Sequence, residues 1–136
     1  MTGAPPGELP IQSEADIVMA RRAVRAAATA LGFGITDVTR IVTAASELTR
    51  NIYQYAKSGI MRWRSLDVNG RVGLELVFED HGPGIPDVAQ AMEKGYSSGK
   101  GLGMGLPGAK RLMDEMSIQS DVGKGTSVQV RKWLKK

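Results

Sequence analysis

Cysteine is absent from this 136-residue chain, and histidine occurs once, as His81. The first absence excludes a disulfide framework and thiolate metal sites, and it fits a reducing compartment. Together the two leave too few of the usual ligands for a zinc centre to be expected. Aromatic residues are few, two Trp, three Tyr and two Phe, and they are spread too thinly to form the stacking platforms that hold single-stranded nucleic acid. No apolar run approaches the roughly 20 residues that a membrane-spanning helix needs. The opening ten residues lack the basic-then-apolar order of a signal peptide. A cytoplasmic protein is expected, with neither nucleic acid nor membrane as partner. Its length suits one domain, residues 1–136, with a core that needs no staples.

Charge of one sign is not concentrated anywhere. The net charge is +4, from 18 basic and 14 acidic residues. Cutting at Val68 leaves 8 basic and 6 acidic residues before the cut and 10 and 8 after it. Arg21, Arg22 and Arg25 fall on one expected helix, and residues 131–136 form a basic tail. Solvated faces account for both better than a nucleic-acid stripe does.

Periodicity gives the order of elements. Residues 8–13 read as a short edge strand that tolerates Pro10 near its start. Ser13 offers an N-cap, with Asp16 three residues on, and a helix should run to Leu31 with Ile17, Ala20, Val24, Ala27, Ala28 and Leu31 inside. Gly32 and Gly34 end it. Thr36 or Asp37 should cap a second helix reaching Ala56, burying Val38, Ile41, Val42, Ala45, Leu48, Ile52 and Tyr55. Residues 59–68 and 71–79 are strand-like around Asn69-Gly70, a strong hairpin signal. Residues 83–100 read as a mobile loop, 106–116 as a helix, and 117–121 with 126–133 as a closing strand pair around Gly123-Lys124-Gly125. The class is α+β: a two-layer sandwich with helices on one face of a mixed, mostly antiparallel sheet.

Three stretches carry chemistry, and their order and spacing together read as an ATP site. In Glu47-Leu-Thr-Arg-Asn51 the end residues lie four apart, on one helix face. The Asn51 carboxamide oxygen can bind Mg²⁺ while triphosphate oxygens and water complete its octahedron. Glu47 can accept a proton from an attacking hydroxyl or merely orient it. A solvent-facing helix edge is the plain alternative. Arg50, between them, can meet phosphate, acceptor or solvent.

Asp80 ends an apolar strand and enters a turn with Gly82 and Gly84. A carboxylate there can accept the exocyclic amine of adenine, and the glycines let backbone lie against base and ribose. A turn of this composition can also be only a turn. His81, inside it, reads as a loop residue without chemistry.

The third stretch is Gly101-Leu102-Gly103-Met104-Gly105. Residues 103–108 satisfy G-x-G-x-x-G, but no strand precedes them, so a dinucleotide-binding fold does not follow. The spacing of a Walker A loop is missing too. What remains is a flexible lid entering a helix, whose free N–H groups can hold phosphates. Lys100 adds charge there or is simply solvated.

These stretches, with Gly123-Lys-Gly-Thr126 downstream, resemble the ATP-binding superfamily of gyrase, Hsp90, histidine kinases and mismatch-repair ATPases. The resemblance implies the Bergerat-type fold, with ATP between helices and sheet under a flexible lid. It implies Mg²⁺ on Asn51, adenine on Asp80 beside Gly82 and Gly84, help from Thr126, and phosphates in a cradle from Lys100 through Gly105 to Leu106. Residues 101–115, 51–56 and Lys132-Trp133 further resemble the small anti-sigma-type serine kinases that act as switches in bacterial stressosomes. That likeness implies Glu47 as catalytic base and phosphorylation of serine or threonine on STAS-domain stressosome proteins. A later switch to a PP2C-type phosphatase or other output protein is implied as well. The rival expectation is an anti-sigma factor or nucleotide-dependent binding module of the same fold with little turnover.

Overall fold

The computed structural model describes residues 6–82 and 105–135. Five strands form one sheet: β1 (Gly7–Ile11), β2 (Gly59–Val68), β3 (Arg71–Asp80), β4 (Glu115–Asp121) and β5 (Gly125–Trp133), in the order β1-β2-β3-β5-β4. Every pairing among them is antiparallel. The α-helices among the described residues are α1 (Glu14–Leu31), α2 (Ile35–Asn51) and α3 (Gly105–Leu112), with α2 packed between α1 and α3.

The two layers follow from two periods. On α1 the residues spaced for one helical face, Ile17, Ala20, Val24, Ala27, Ala28 and Leu31, are the buried ones. On β3 every second residue, Leu74, Leu76 and Phe78, turns inward, and Met61, Val128 and Val130 continue that layer on β2 and β5. Each such large side chain contributes roughly 1.5–3 kcal/mol by leaving water. Alanines at 20, 27, 28, 44 and 45, all buried, keep the helix surfaces low where α1 and α2 meet.

The other sheet face is free of helices among the described residues and is laced with charge. Glu75, only 3% exposed, accepts from Arg64 Nε at 2.7 Å and from Arg131 Nε at 2.8 Å. Register places it directly between them. Arg62 joins Glu8 and Glu79. Trp133 lies across Gly73, where a Cβ would come within 2.7 Å of its ring. Its Nε1 donates to Glu115 at 2.7 Å, and the Arg71 guanidinium sits 4.5 Å from its centre.

Four local expectations differ from the structure. Ser13 stands at the N-cap of α1 without a side-chain bond; instead Asp16 Oδ2 accepts the Gln12 N–H at 2.9 Å. The N-cap of α2 is Gly34, ahead of Thr36 and Asp37, and the Asp37 carboxylate pairs with Arg40 at 3.0 Å. Beyond Asn51 the α-helix gives way to a π-turn, Ile52–Ala56. The wider turn rotates Tyr55 out of the expected buried row, leaving it 48% exposed. Finally, α3 stops at Leu112 and Met116 lies in β4, because the Asp114 N–H is already bonded to Arg131 O at 2.9 Å. The sheet claims that backbone before another helical turn can form.

Candidate functional site

The end of β3 is where the sheet converges on α2. Asp80 is the last residue of β3 and faces Thr126, near the start of β5. Its Oδ1 accepts two backbone N–H groups, from Gly82 at 2.9 Å and from Thr126 at 3.2 Å. One carboxylate oxygen is thus pinned by main chain, and the direction of the other is set by the same two bonds. Thr126 Oγ1 lies 3.0 Å from Ser120 Oγ, and Ser120 Oγ also donates to Gly125 O at 3.2 Å.

Glycine is required at two points. Gly125 has φ +121°, and a Cβ there would stand 2.1 Å from the Asp80 carbonyl oxygen, so no L-side chain fits without moving that strand end. At Gly82 a Cβ would come within 2.6 Å of Ala56 Cβ. The turn after Asp80 therefore lies directly on the π-turn that follows Asn51. Gly59 brings the same two regions together: its Cβ position is 2.8 Å from Ile52 Cγ2 and 3.3 Å from Asp80 Cβ. The C-terminal end of α2 and the Asp80 turn form one packed unit.

On α2, Glu47 and Asn51 are both partly buried, in a run whose neighbours Ala44, Ala45, Leu48 and Thr49 are buried. Thr49 is fully enclosed and satisfies its hydroxyl on Ala45 O at 2.8 Å. The Glu47 carboxylate is engaged by Arg50, whose Nη1 reaches Oε2 at 2.5 Å. No group of three or more His, Cys, Asp or Glu side chains among the described residues could hold a metal ion. Mg²⁺ carried in by a triphosphate would need only one or two protein oxygens, since it keeps its waters.

Helix α3, expected from the sequence to open the phosphate cradle, begins at Gly105, with Pro107 in its first turn, where its missing N–H costs nothing. Leu106 sends its side chain into the core, so only its backbone can serve a phosphate. At the far end Lys132, 5% exposed, donates to Leu112 O at 2.8 Å and lies 3.7 Å from Asp114 and 3.8 Å from Asp37. That lysine ties the end of α3 to the first turn of α2. Gly84, Lys100, Gly101, Leu102, Gly103, Met104 and the loop expected over 83–100 lie outside the described residues.

A cleft of about 750 Å³ opens beside Asp80, His81, Gly125 and Thr126, and Ile60, Glu79, Gln119 and Ser127 line it too. Those four share the helix-free face with Arg62 and Glu75. The cleft thus lies behind Asp80 and is not the space between helices and sheet. Sequence reasoning missed Ser120 and gave Gly125 no task. The Gly123-Lys-Gly125 run was visible, but the contact with Asp80 is made across 45 residues of chain.

This two-layer fold, with a main-chain-anchored carboxylate beside a Glu-x-x-x-Asn helix, defines a class. The chain belongs to the histidine kinase-like ATPase domain family, which matches residues 11–132. It is similar to serine/threonine-protein kinase RsbT of Bacillus subtilis (strain 168), at 52% identity over 92% of this chain and 94% of that protein. It is similar as well to the anti-sigma F factor of Caldanaerobacter subterraneus subsp. tengcongensis, at 33% identity over 85% of this chain and 83% of that protein. Among solved structures, the RsbU and RsbW domains of Rv1364c from Mycobacterium tuberculosis match with a TM-score of 0.61 at 18% identity. That match covers 95% of this chain and 32% of the other. The mycobacterial sensor histidine kinase MprB matches with a TM-score of 0.55 at 20% identity. These two likenesses establish the fold alone.

Proposed function

We propose that this chain is a protein serine/threonine kinase that takes the γ-phosphate of Mg-ATP. The observation that carries the reading is the conjunction of 52% identity to RsbT across nearly the whole chain with Glu47 and Asn51 standing one turn apart on α2. Asp80 accepts the adenine amine through the oxygen its backbone donors leave free, and Gly82 and Thr126 flank it. Asn51 supplies a neutral oxygen to Mg²⁺, which when bound neutralises triphosphate charge. The N–H groups at the start of α3, with the segment from Lys100 to Met104 and with Gly84 on the base side, hold the rest of the nucleotide. Glu47 takes or orients the hydroxyl proton as the acceptor oxygen bonds phosphorus. Transfer of this kind depends on positioning and electrostatics more than on covalent help from the protein.

The likeness to RsbT further supports STAS-domain proteins of a stressosome as acceptors and a PP2C-type phosphatase or other output protein as the later partner. A kinase drawing on ATP works where ATP is supplied, which supports a cytoplasmic location. Similarity to anti-sigma F factors favours a second reading, a nucleotide-controlled binding module with little turnover. Incubation with Mg-ATP and a purified STAS-domain protein, with Glu47→Gln in parallel and phosphate located by mass spectrometry, separates the two. Phosphoserine or phosphothreonine that disappears in the variant supports the kinase; tight ATP binding with no transfer supports the module.

A further inference from the structure

Glu47 is not free in this structure. Its Oε2 is held by Arg50 Nη1 at 2.5 Å, and Arg50 Nη2 lies 3.5 Å from Ser46 Oγ. The direction of that hold matters. At about 100° per residue, Asn51 stands roughly 40° to one side of Glu47 around α2, while Arg50 and Ser46 stand roughly 60° and 100° to the other. The Nη2–Ser46 contact places the guanidinium on the side away from Asn51. The ion pair therefore draws the carboxylate from the face that Asn51 occupies, and it fills one of its two oxygens.

We infer that Arg50 is a positioning residue that restrains Glu47 in a resting orientation, so that transfer is slowed until this ion pair opens. The inference rests on the reading of Glu47 as proton acceptor. In the step it governs, the attacking O–H oxygen bonds the γ-phosphorus as the bond to the bridging oxygen breaks. That electron pair leaves on ADP, and the hydroxyl proton passes to Glu47. With Oε2 bonded to Arg50 and the carboxylate drawn from the Asn51 face, Glu47 meets that proton poorly until the pair opens. The side chains are 43% exposed for Arg50 and 19% for Glu47, so water competes with the pair and the restraint is a weak one, easily exchanged when an acceptor docks. Its strength sets the size of the effect.

Water is the acceptor for the test, which removes dependence on any partner. Single-turnover phosphate release from Mg-ATP is measured for the full chain, for Arg50→Gln, Arg50→Lys and Glu47→Gln, and for the double variant. ATP affinity is measured by calorimetry and folding by thermal denaturation. Arg50→Gln should release phosphate roughly two- to fivefold faster, the range an exposed ion pair can supply, with ATP affinity unchanged. Arg50→Lys should stay near the parent rate, because lysine keeps the pair. Glu47→Gln should be slow, and adding Arg50→Gln to it should give no gain. Side-chain nitrogen resonances of Arg50, distinct in the nucleotide-free parent, should collapse toward free-arginine positions in Glu47→Gln. An Arg50→Gln rate at or below the parent, with Glu47→Gln slow, overturns the restraint and leaves Glu47 in its role. A Glu47→Gln rate equal to the parent overturns both.

Discussion

Asp80 and Thr126 meet across the β3–β5 ladder, and the carboxylate of the first accepts the backbone N–H of the second at 3.2 Å. The bond uses only one oxygen, which Gly82 shares at 2.9 Å, so a carboxamide can hold the same geometry. Asp80→Asn should fold as the parent does and present a donor where adenine also presents one. ATP affinity should fall about 10- to 100-fold, the value of a hydrogen bond to a charged group. Titration calorimetry checks it; unaltered affinity would remove Asp80 from adenine recognition.

Gly125 tests the scaffold behind that carboxylate. With φ +121° and a would-be Cβ 2.1 Å from Asp80 O, Gly125→Ala should cost about 2 kcal/mol or more of stability. The strand end must move, and nucleotide binding should weaken with it. Chemical denaturation gives the first quantity and calorimetry the second. Gly70→Ala, also at positive φ but with nothing within 4 Å, is the control for backbone strain alone.

Glu47→Gln keeps size and hydrogen-bonding shape while removing the proposed proton acceptor. Transfer should drop by a factor on the order of 10²–10⁴, with ATP affinity retained. Rapid-quench measurement of phosphate transfer under saturating Mg-ATP reads this directly, and an undiminished rate in a folded variant would rule Glu47 out as the base.

Lys132→Met should act at a distance. It strips Leu112 O of its donor and leaves Asp37 and Asp114 without their buried cation, costing about 1–3 kcal/mol. Because the lysine fixes the far end of α3, ADP affinity should fall along with the melting temperature. A lower melting temperature with unchanged ADP affinity would confine Lys132 to stability.

Much of this architecture was legible in residue order because the signals were local. The six inward positions of α1 follow from helical spacing alone, and Asn69-Gly70 sits between β2 and β3 where the turn was expected, with Asn69 at φ 56° and Gly70 at φ 82°. What could not be read depended on contacts far apart in sequence. The π-turn over Ile52–Ala56 lies against Gly59 and Gly82, and nothing within the helix announces it. The end of α3 is set by Arg131 from another strand. Glu75 reads as an exposed residue of an alternating strand, yet Arg64 and Arg131 close over it. For the site, types and spacing of Glu47, Asn51 and Asp80 were evident. The anchoring of Asp80 by Thr126 and the capture of Glu47 by Arg50 were not, since both are matters of direction.

The aim of Asp80 is written in the path of the main chain. Its oxygen is held by two peptide N–H groups, so no neighbouring side chain has to be kept for it to point as it does. Drift in surrounding residues leaves the aim intact so long as the ladder closes and Gly125 stays small. On the adenine role proposed for Asp80, a lineage with this arrangement can rebuild its outer surface for new partners while its choice of nucleotide passes unchanged from one descendant to the next.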